Sequence, residues 1–168
     1  DFEKLILMPE SFDLKLIKRI TAVNNQNVPE RIENVDVSDL NTIGENGQII
    51  TTGDYTLSKE PVAVKKGDIV TYTFRIYNEG TIDGYAQEIT EDIPEGLEFI
   101  WSEKTGQELE DDETLTEAEK EAIEFNQDYL WGNFVYDESG ERIIQISTDY
   151  LSKENETTQG GNLIPAFG

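Results

Sequence analysis

Apolar and polar residues alternate along the segment that follows Ser11. Counting by twos gives one face that consists of Phe12, Leu14, Leu16, Lys18, Ile20 and Ala22. Successive side chains of a strand point to opposite faces, so this period of two predicts a β-strand with one apolar face. A lysine in the middle of that face is unexpected, because the same space must hold the neighbouring leucine and isoleucine side chains.

Several further segments have the length and pattern of strands. The clearest covers residues 69–78. One strand is expected before the turn Pro94–Gly96 and one after it. Two more are expected in NFVYDESGERIIQIST, where DESG is typical of a hairpin turn. Residues 24–46 are predicted to form a long loop with one or two short strands, and residues 79–84 a turn. Many short strands with turns every roughly 8–12 residues are typical of a β-sandwich.

One helix is predicted as an insertion in this sandwich, near residues 115–131. Thr116 and Glu119 have capping-box spacing, and apolar residues fall on one face up to Trp131. The preceding residues 103–114 are acidic and are expected to form an exposed loop. We therefore predict a mainly β fold with a short helical insertion, in one domain over residues 11–168. Residues 1–10 are interpreted as an N-terminal linker or lead-in strand.

Composition excludes several classes of function. The 168 residues include 13 basic and 36 acidic side chains, which gives a formal charge of −23. Nucleic-acid binding and attraction to an anionic membrane surface both need basic residues, so neither is expected. The chain has no Cys and no His, which excludes zinc fingers, thiol nucleophiles and Ser-His-Asp triads. No cofactor or metal is expected, and no apolar run is long enough for membrane insertion.

Glu91 is a second charged residue on an apolar strand face, and its charge is opposite to that of Lys18. Glu91 lies between Ile89 and Ile93 in the period-two pattern. A buried charge costs several kcal/mol unless it is paired or neutralised. The two groups therefore form a buried ion pair, or reach solvent at strand edges, or take part in a covalent reaction. In that reaction an uncharged lysine amine attacks an Asn or Asp side chain, assisted by the glutamate, and forms an isopeptide bond.

Three stretches resemble a known family of surface domains: FDLKLIKRITAVN, GDIVTYTFRIYNEGTIDGYA and EDIPEGLEFI. They are similar to the isopeptide-forming, immunoglobulin-like repeat domains of Gram-positive adhesins and pilins of the collagen-adhesin type. The resemblance implies an immunoglobulin-like β-sandwich, and an extracellular location in a longer protein anchored to the cell wall. It also implies that an early-strand Lys bonds to Asn or Asp of the last strand, assisted by an acid from a central strand. Lys18 and Glu91 match the first and third of these roles.

The acceptor is the residue that the pattern leaves open. Asn162 is the nearest candidate in the chain, with Asn155 behind it, but neither lies in a clear strand. The alternative is that GGNL only begins a loop and that the acceptor lies on a last strand beyond residue 168. Lys18 and Glu91 would then be ready to react with a complementary strand peptide supplied in trans.

The sequence thus predicts a structural or adhesive surface domain, with no enzymatic activity beyond a single-turnover cross-linking reaction. Its expected partners are the neighbouring domains of a larger surface protein, a complementary C-terminal strand peptide and an unidentified host or surface ligand. The alternative is a non-covalent protein- or glycan-binding module in which Lys18 and Glu91 form only an ion pair. A surface hydrolase is less favoured, because no spaced acid motif is present. Trp101 and Trp131, if exposed, are the first candidates for ligand contacts.

Overall fold

The computed structural model describes residues 10–28, 33–57, 61–136, 140, 142–156 and 161–167. The fold is mainly β, with small antiparallel sheets, as predicted. The chain divides into two compact units, one of residues 1–85 with 163–168 and one of residues 86–162. The expected linker, apart from Glu10, and most of the DESG turn lie outside the described residues.

The first unit contains two antiparallel sheets built from short strands. Its strands are β1 (Leu14–Val23), β2 (Gln26–Asn27), β3 (Glu33–Asp36), β4 (Asp54–Leu57) and β5 (Val70–Asn78). β1 lies between β2 and β5 in one sheet, and β3 pairs with β4 in the other. The predicted strands at the start of the domain and at 69–78 are confirmed, as are the short strands expected within 24–46.

A β-bulge interrupts the alternation of β1. The strand runs in register with β5 as far as Ile20, which lies opposite Tyr72, and the register then shifts so that Ala22 lies opposite Thr71. Thr71 and Tyr72 are consecutive, so they point to opposite faces of the sheet. The prediction that Ala22 shares the face of Lys18 is therefore wrong, because one extra residue in a bulge resets the period-two count.

The second unit contains a three-stranded antiparallel sheet and two helices. Its elements are β6 (Ile89–Asp92), α1 (Gln107–Glu110), α2 (Glu117–Tyr129), β7 (Trp131–Tyr136) and β8 (Arg142–Thr148). β8 lies in the middle and pairs with both β6 and β7. The antiparallel pairing of β7 with β8 confirms the two strands predicted around DESG.

The strand expected after the Pro94–Gly96 turn is not formed, since residues 97–100 adopt no regular structure. Side chains of α2 bind the backbone that follows the turn. Asn126 Nδ2 donates to the carbonyl oxygen of Ile100 at 2.7 Å, and Gln127 Nε2 donates to that of Ser102 at 2.6 Å. These amides satisfy backbone groups that a neighbouring strand would otherwise bind.

The acidic stretch 103–114 is not a fully exposed loop as predicted. It contains α1, and Leu109 within that helix is completely buried. Leu109 is the one apolar residue of the stretch, and burying its side chain stabilises the helix. α2 follows with Ile123 as its buried residue.

The start of α2 confirms the predicted capping box. The hydroxyl oxygen of Thr116 accepts from the Glu119 N–H at 3.2 Å, and the Glu119 carboxylate accepts from the Thr116 N–H at 2.7 Å. This backbone hydrogen bond, together with one from the Thr116 hydroxyl, lowers the pKa of Glu119. Because both groups belong to the first turn, the sequence alone was enough to locate the start of this helix.

Replacing the capping residue tests how much it stabilises α2. Thr116→Ala should lower the free energy of unfolding by about 1 kcal/mol, since the Glu119 N–H then loses its acceptor. Thr116→Ser keeps the hydroxyl and should behave like the natural chain. Equilibrium unfolding followed by far-UV circular dichroism measures both variants. Equal losses for Ala and Ser would contradict a capping role.

Candidate functional site

Lys18 lies on an aromatic surface of the first unit. It is opposite Phe74 in the sheet, which confirms that it shares the predicted face with Leu16 and Ile20. Its Nζ atom is 4.7 Å from the centre of the Tyr72 ring and 5.8 Å from that of Phe74. Aromatic faces attract an ammonium group, so the rings hold this charge within an otherwise apolar face. The side chain is half-buried.

Glu91 lies on the apolar face of β6 in the second unit. It is half-buried and opposite the buried Ile146 of β8, whereas its neighbours Thr90 and Asp92 are exposed. The predicted placement of Glu91 beside Ile89 on the inward face of a strand is confirmed. Its assistance to Lys18 stays a prediction.

The two predicted acceptors lie in a loop of the second unit. Asn162 is buried, and its Nδ2 donates to the carbonyl oxygens of Tyr150 at 2.8 Å and Ser152 at 3.1 Å. Asn155 is exposed, and its Nδ2 donates to the carbonyl oxygen of Asp149 at 3.1 Å. Both amides therefore brace the loop that follows β8, and the acceptor role of either residue stays a prediction.

A loop of the first unit that the sequence predicts only as a turn, at residues 79–84, holds many hydrogen bonds. The loop after β5 binds two distant parts of the chain, and we call this arrangement the terminal clasp. It consists of residues 11–13, 78–84 and 164–166. On one side the N–H groups of Glu79 and Thr81 donate to the carbonyl oxygens of residues 13 and 11, both at 2.7 Å. On the other side Gly84 and Ile164 exchange two backbone hydrogen bonds, at 2.8 and 3.1 Å.

Asn78 is the centre of the terminal clasp. Its side chain is 1% exposed, and its Oδ1 accepts from the N–H of Gly80 at 2.9 Å. Its Nδ2 donates to the carbonyl oxygens of Ile82 at 2.8 Å and Ile164 at 3.3 Å. The Asp13 N–H also reaches Oδ1, at 3.4 Å. One amide thus connects the start of β1, the loop and the C-terminal segment.

Two glycines of the clasp are required by close approach of the chain. A Cβ atom on Gly80 would collide with the backbone of Ser11 and Phe12, and one on Gly84 would collide with the Phe12 ring. A collision with backbone cannot be relieved by moving a flexible side chain. The glycines in the motif YNEGTIDG are therefore explained by the packing of residues 11–13 against the loop.

Glu79 joins a further strand to the clasp. It is buried, and its Oε1 accepts from the N–H of Gly53, which directly precedes β4, at 2.8 Å. Burial and the neighbouring Glu79 carboxylate raise the pKa of Tyr55 well above its ordinary value. The Tyr55 ring contacts Tyr77 at 5.6 Å between centroids. A buried acid at this position was missed because the sequence around it has the composition of an ordinary exposed turn.

No protein-family model, curated protein or solved structure matches this chain. The resemblance to adhesin domains therefore rests on the three stretches quoted above. Within the described ranges, no helix is both long and apolar enough to cross a membrane. The described acidic side chains also form no group of three that could hold a metal ion.

If the clasp forms as described, position 80 cannot accept a side chain larger than that of glycine without loss of stability. Gly80→Ala should lower the free energy of unfolding by about 1–3 kcal/mol, the usual cost of forcing a methyl group into a packed site. Gly161→Ala is the matched control, because a Cβ atom there meets nothing within 4 Å. Denaturant unfolding compares the two variants with the natural chain. Equal stability of the Gly80 and Gly161 variants would show that the clasp does not form as described.

Proposed function

We propose that this chain is a structural module of a Gram-positive bacterial surface protein, with an immunoglobulin-like β-sandwich fold. Its function is to carry tension between neighbouring domains, and it is closed by an isopeptide bond at Lys18. The observation that carries the proposal is the terminal clasp, which fastens residues 11–13 and residues 164–166 of the first unit to one loop.

The clasp sets a path for mechanical force. Tension applied to the chain before Ser11 and after Ala166 passes through the hydrogen bonds of residues 78–84. The roughly 150 residues between those two points carry no tension while these bonds hold. Such an arrangement suits a domain that is pulled from both ends, and it needs neither a disulfide nor a metal.

A covalent bond at Lys18 would reinforce the same junction. Lys18 follows the first clasp segment in the chain, and Asn162 lies two residues before the start of the last one. In the proposed reaction the uncharged Nζ of Lys18 attacks an Asn Cγ, while the Glu91 carboxyl group gives a proton to the carbonyl oxygen and receives one from the amine. The Nζ–Cγ bond forms first. Glu91 then moves the proton on the former carbonyl oxygen to Nδ2, so that the Cγ–Nδ2 bond breaks, ammonia leaves and the carbonyl group re-forms. The loop closed through Asn162 stabilises the fold by about 4–5 kcal/mol in the chain-entropy description of cross-links.

The hydrogen bonds of Asn162 favour an acceptor supplied in trans. Reaction at its Cγ would expel the same Nδ2 atom that holds the carbonyl groups of Tyr150 and Ser152. A buried carbonyl that loses its donor costs about 1–3 kcal/mol. A separate last strand carrying the acceptor would avoid that loss, and Lys18 and Glu91 would then act as the receiving half of a ligation pair.

Intact-mass measurement tests the proposed bond. Closure on Asn162 removes one ammonia, about 17 Da, whereas addition of an Asn-containing strand peptide gives an adduct lighter than the sum of the two parts by the same amount. The peptide is the last strand of one of the resembled adhesin domains. We expect one of these two products from the natural chain, and neither from Lys18→Ala.

Lys15→Ala is the matched control, because Lys15 lies on the same strand but on the opposite face. It should react as the natural chain does. An unshifted mass together with no adduct would reject the covalent part of the proposal. An adduct that survives Lys18→Ala would assign the reaction to another lysine. Either result leaves the tension-carrying role of the clasp to be judged on its own.

A further inference from the structure

Aromatic and acidic side chains line a cavity of about 390 Å³ on the surface of the second unit. Three aromatic residues, Tyr129, Trp131 and Tyr150, contribute to the lining. They are 41%, 36% and 49% exposed, so they do not serve as core residues. Clustered exposed aromatic side chains in a concave site are typical of ligand-binding surfaces.

The two tyrosines are held in place by their backbones. The Thr148 hydroxyl donates to the carbonyl oxygen of Tyr129 at 2.8 Å and accepts from the N–H of Tyr150 at 3.2 Å. Their rings meet edge to face at 5.1 Å, and Phe125 contacts the Tyr129 ring at 5.0 Å. Because one hydroxyl fixes both chain positions, the rings are arranged before any ligand arrives.

Hydrogen bonds from residues 152, 155 and 162 stabilise the loop that carries Tyr150. The carbonyl oxygen of Asp149 accepts from the N–H of Ser152 at 2.7 Å and from Asn155 Nδ2 at 3.1 Å. The buried Asn162 amide holds the carbonyl oxygen of Tyr150 itself. The hydrogen bonds of Asn155 and Asn162 thus support one side of the cavity.

The acidic lining of the cavity favours a positively charged ligand. Asp128 and Asp149 are among the residues that line the cavity, and none of the described lining residues is basic. The chain as a whole has a formal charge of −23. Carboxylates and the electron-rich faces of aromatic rings both attract cations, and both repel anions. A neutral sugar would use the rings but would gain nothing from the two charges.

We propose that this cavity binds a small organic cation of the quaternary ammonium class. The rings of Tyr129, Trp131 and Tyr150 contact the alkylated ammonium group, and Asp128 and Asp149 supply long-range attraction. The site lies entirely within the second unit and does not depend on the proposed cross-link or on the clasp.

Choline and its neutral carbon analogue 3,3-dimethyl-1-butanol form the decisive pair of probes. In the Trp101→Phe background, Trp131 is the remaining tryptophan, so its fluorescence reports on the cavity. We expect a saturable fluorescence change with choline and at least a tenfold weaker response to the neutral analogue. Equal responses to both compounds would overturn the proposal. So would a saturable response to cellobiose without one to choline, or no saturable response to choline.

Substitutions then assign the site. Tyr150→Leu should weaken choline binding about tenfold, whereas Tyr150→Phe keeps the ring and should preserve binding. Asp149→Asn should weaken binding and reduce its dependence on salt. Tyr136→Leu is the matched control, since Tyr136 lies on β7, is 74% exposed and does not line the cavity. Equal effects of the Tyr150→Leu and Tyr136→Leu substitutions would contradict the assignment, and unchanged far-UV circular dichroism verifies the fold of each variant.

Discussion

The first unit depends on the hydrogen bonds of one buried amide. A polar side chain as deeply buried as Asn78 must have its donors and acceptors satisfied, because each group left unpaired costs about 1–3 kcal/mol. Its oxygen and nitrogen are satisfied by backbone groups from three separate stretches of the chain. The positions of those stretches are therefore coupled, and displacing the loop or the Ile164 segment leaves an N–H group of the buried Asn78 amide without an acceptor.

The clasp connects residues 11–13 and 164–166 through one loop without a covalent bond. The chain has no cysteine, so a disulfide cannot connect these segments. Backbone pairing of Gly84 with Ile164, reinforced by the N–H of Ala166 donating to Asp83 Oδ1 at 2.8 Å, fastens the C-terminal segment by hydrogen bonds. The proposed isopeptide bond at Lys18 would add a covalent connection close to the same place in the chain.

Local patterns were predictable because they depend on residues close together in the sequence. The capping box at Thr116 and the alternation of β1 up to Ile20 needed only neighbouring residues. The bulge before Ala22 and the burial of Leu109 could not be predicted in the same way, since tertiary packing decides both. The same distinction between local pattern and tertiary packing applies to the candidate site. The face of Lys18 follows from counting by twos, whereas the burial of Asn78 arises only where distant segments meet.

Force spectroscopy on the chain, pulled from both ends, tests most directly whether the clasp carries tension. Without a cross-link, we expect one main rupture that releases on the order of 500 Å of chain. If Lys18 is bonded to Asn162, the released length falls to a small fraction of that value. In either case Asn78→Ala should lower the force at which the clasp opens. A rupture force that Asn78→Ala leaves unchanged would contradict the central claim.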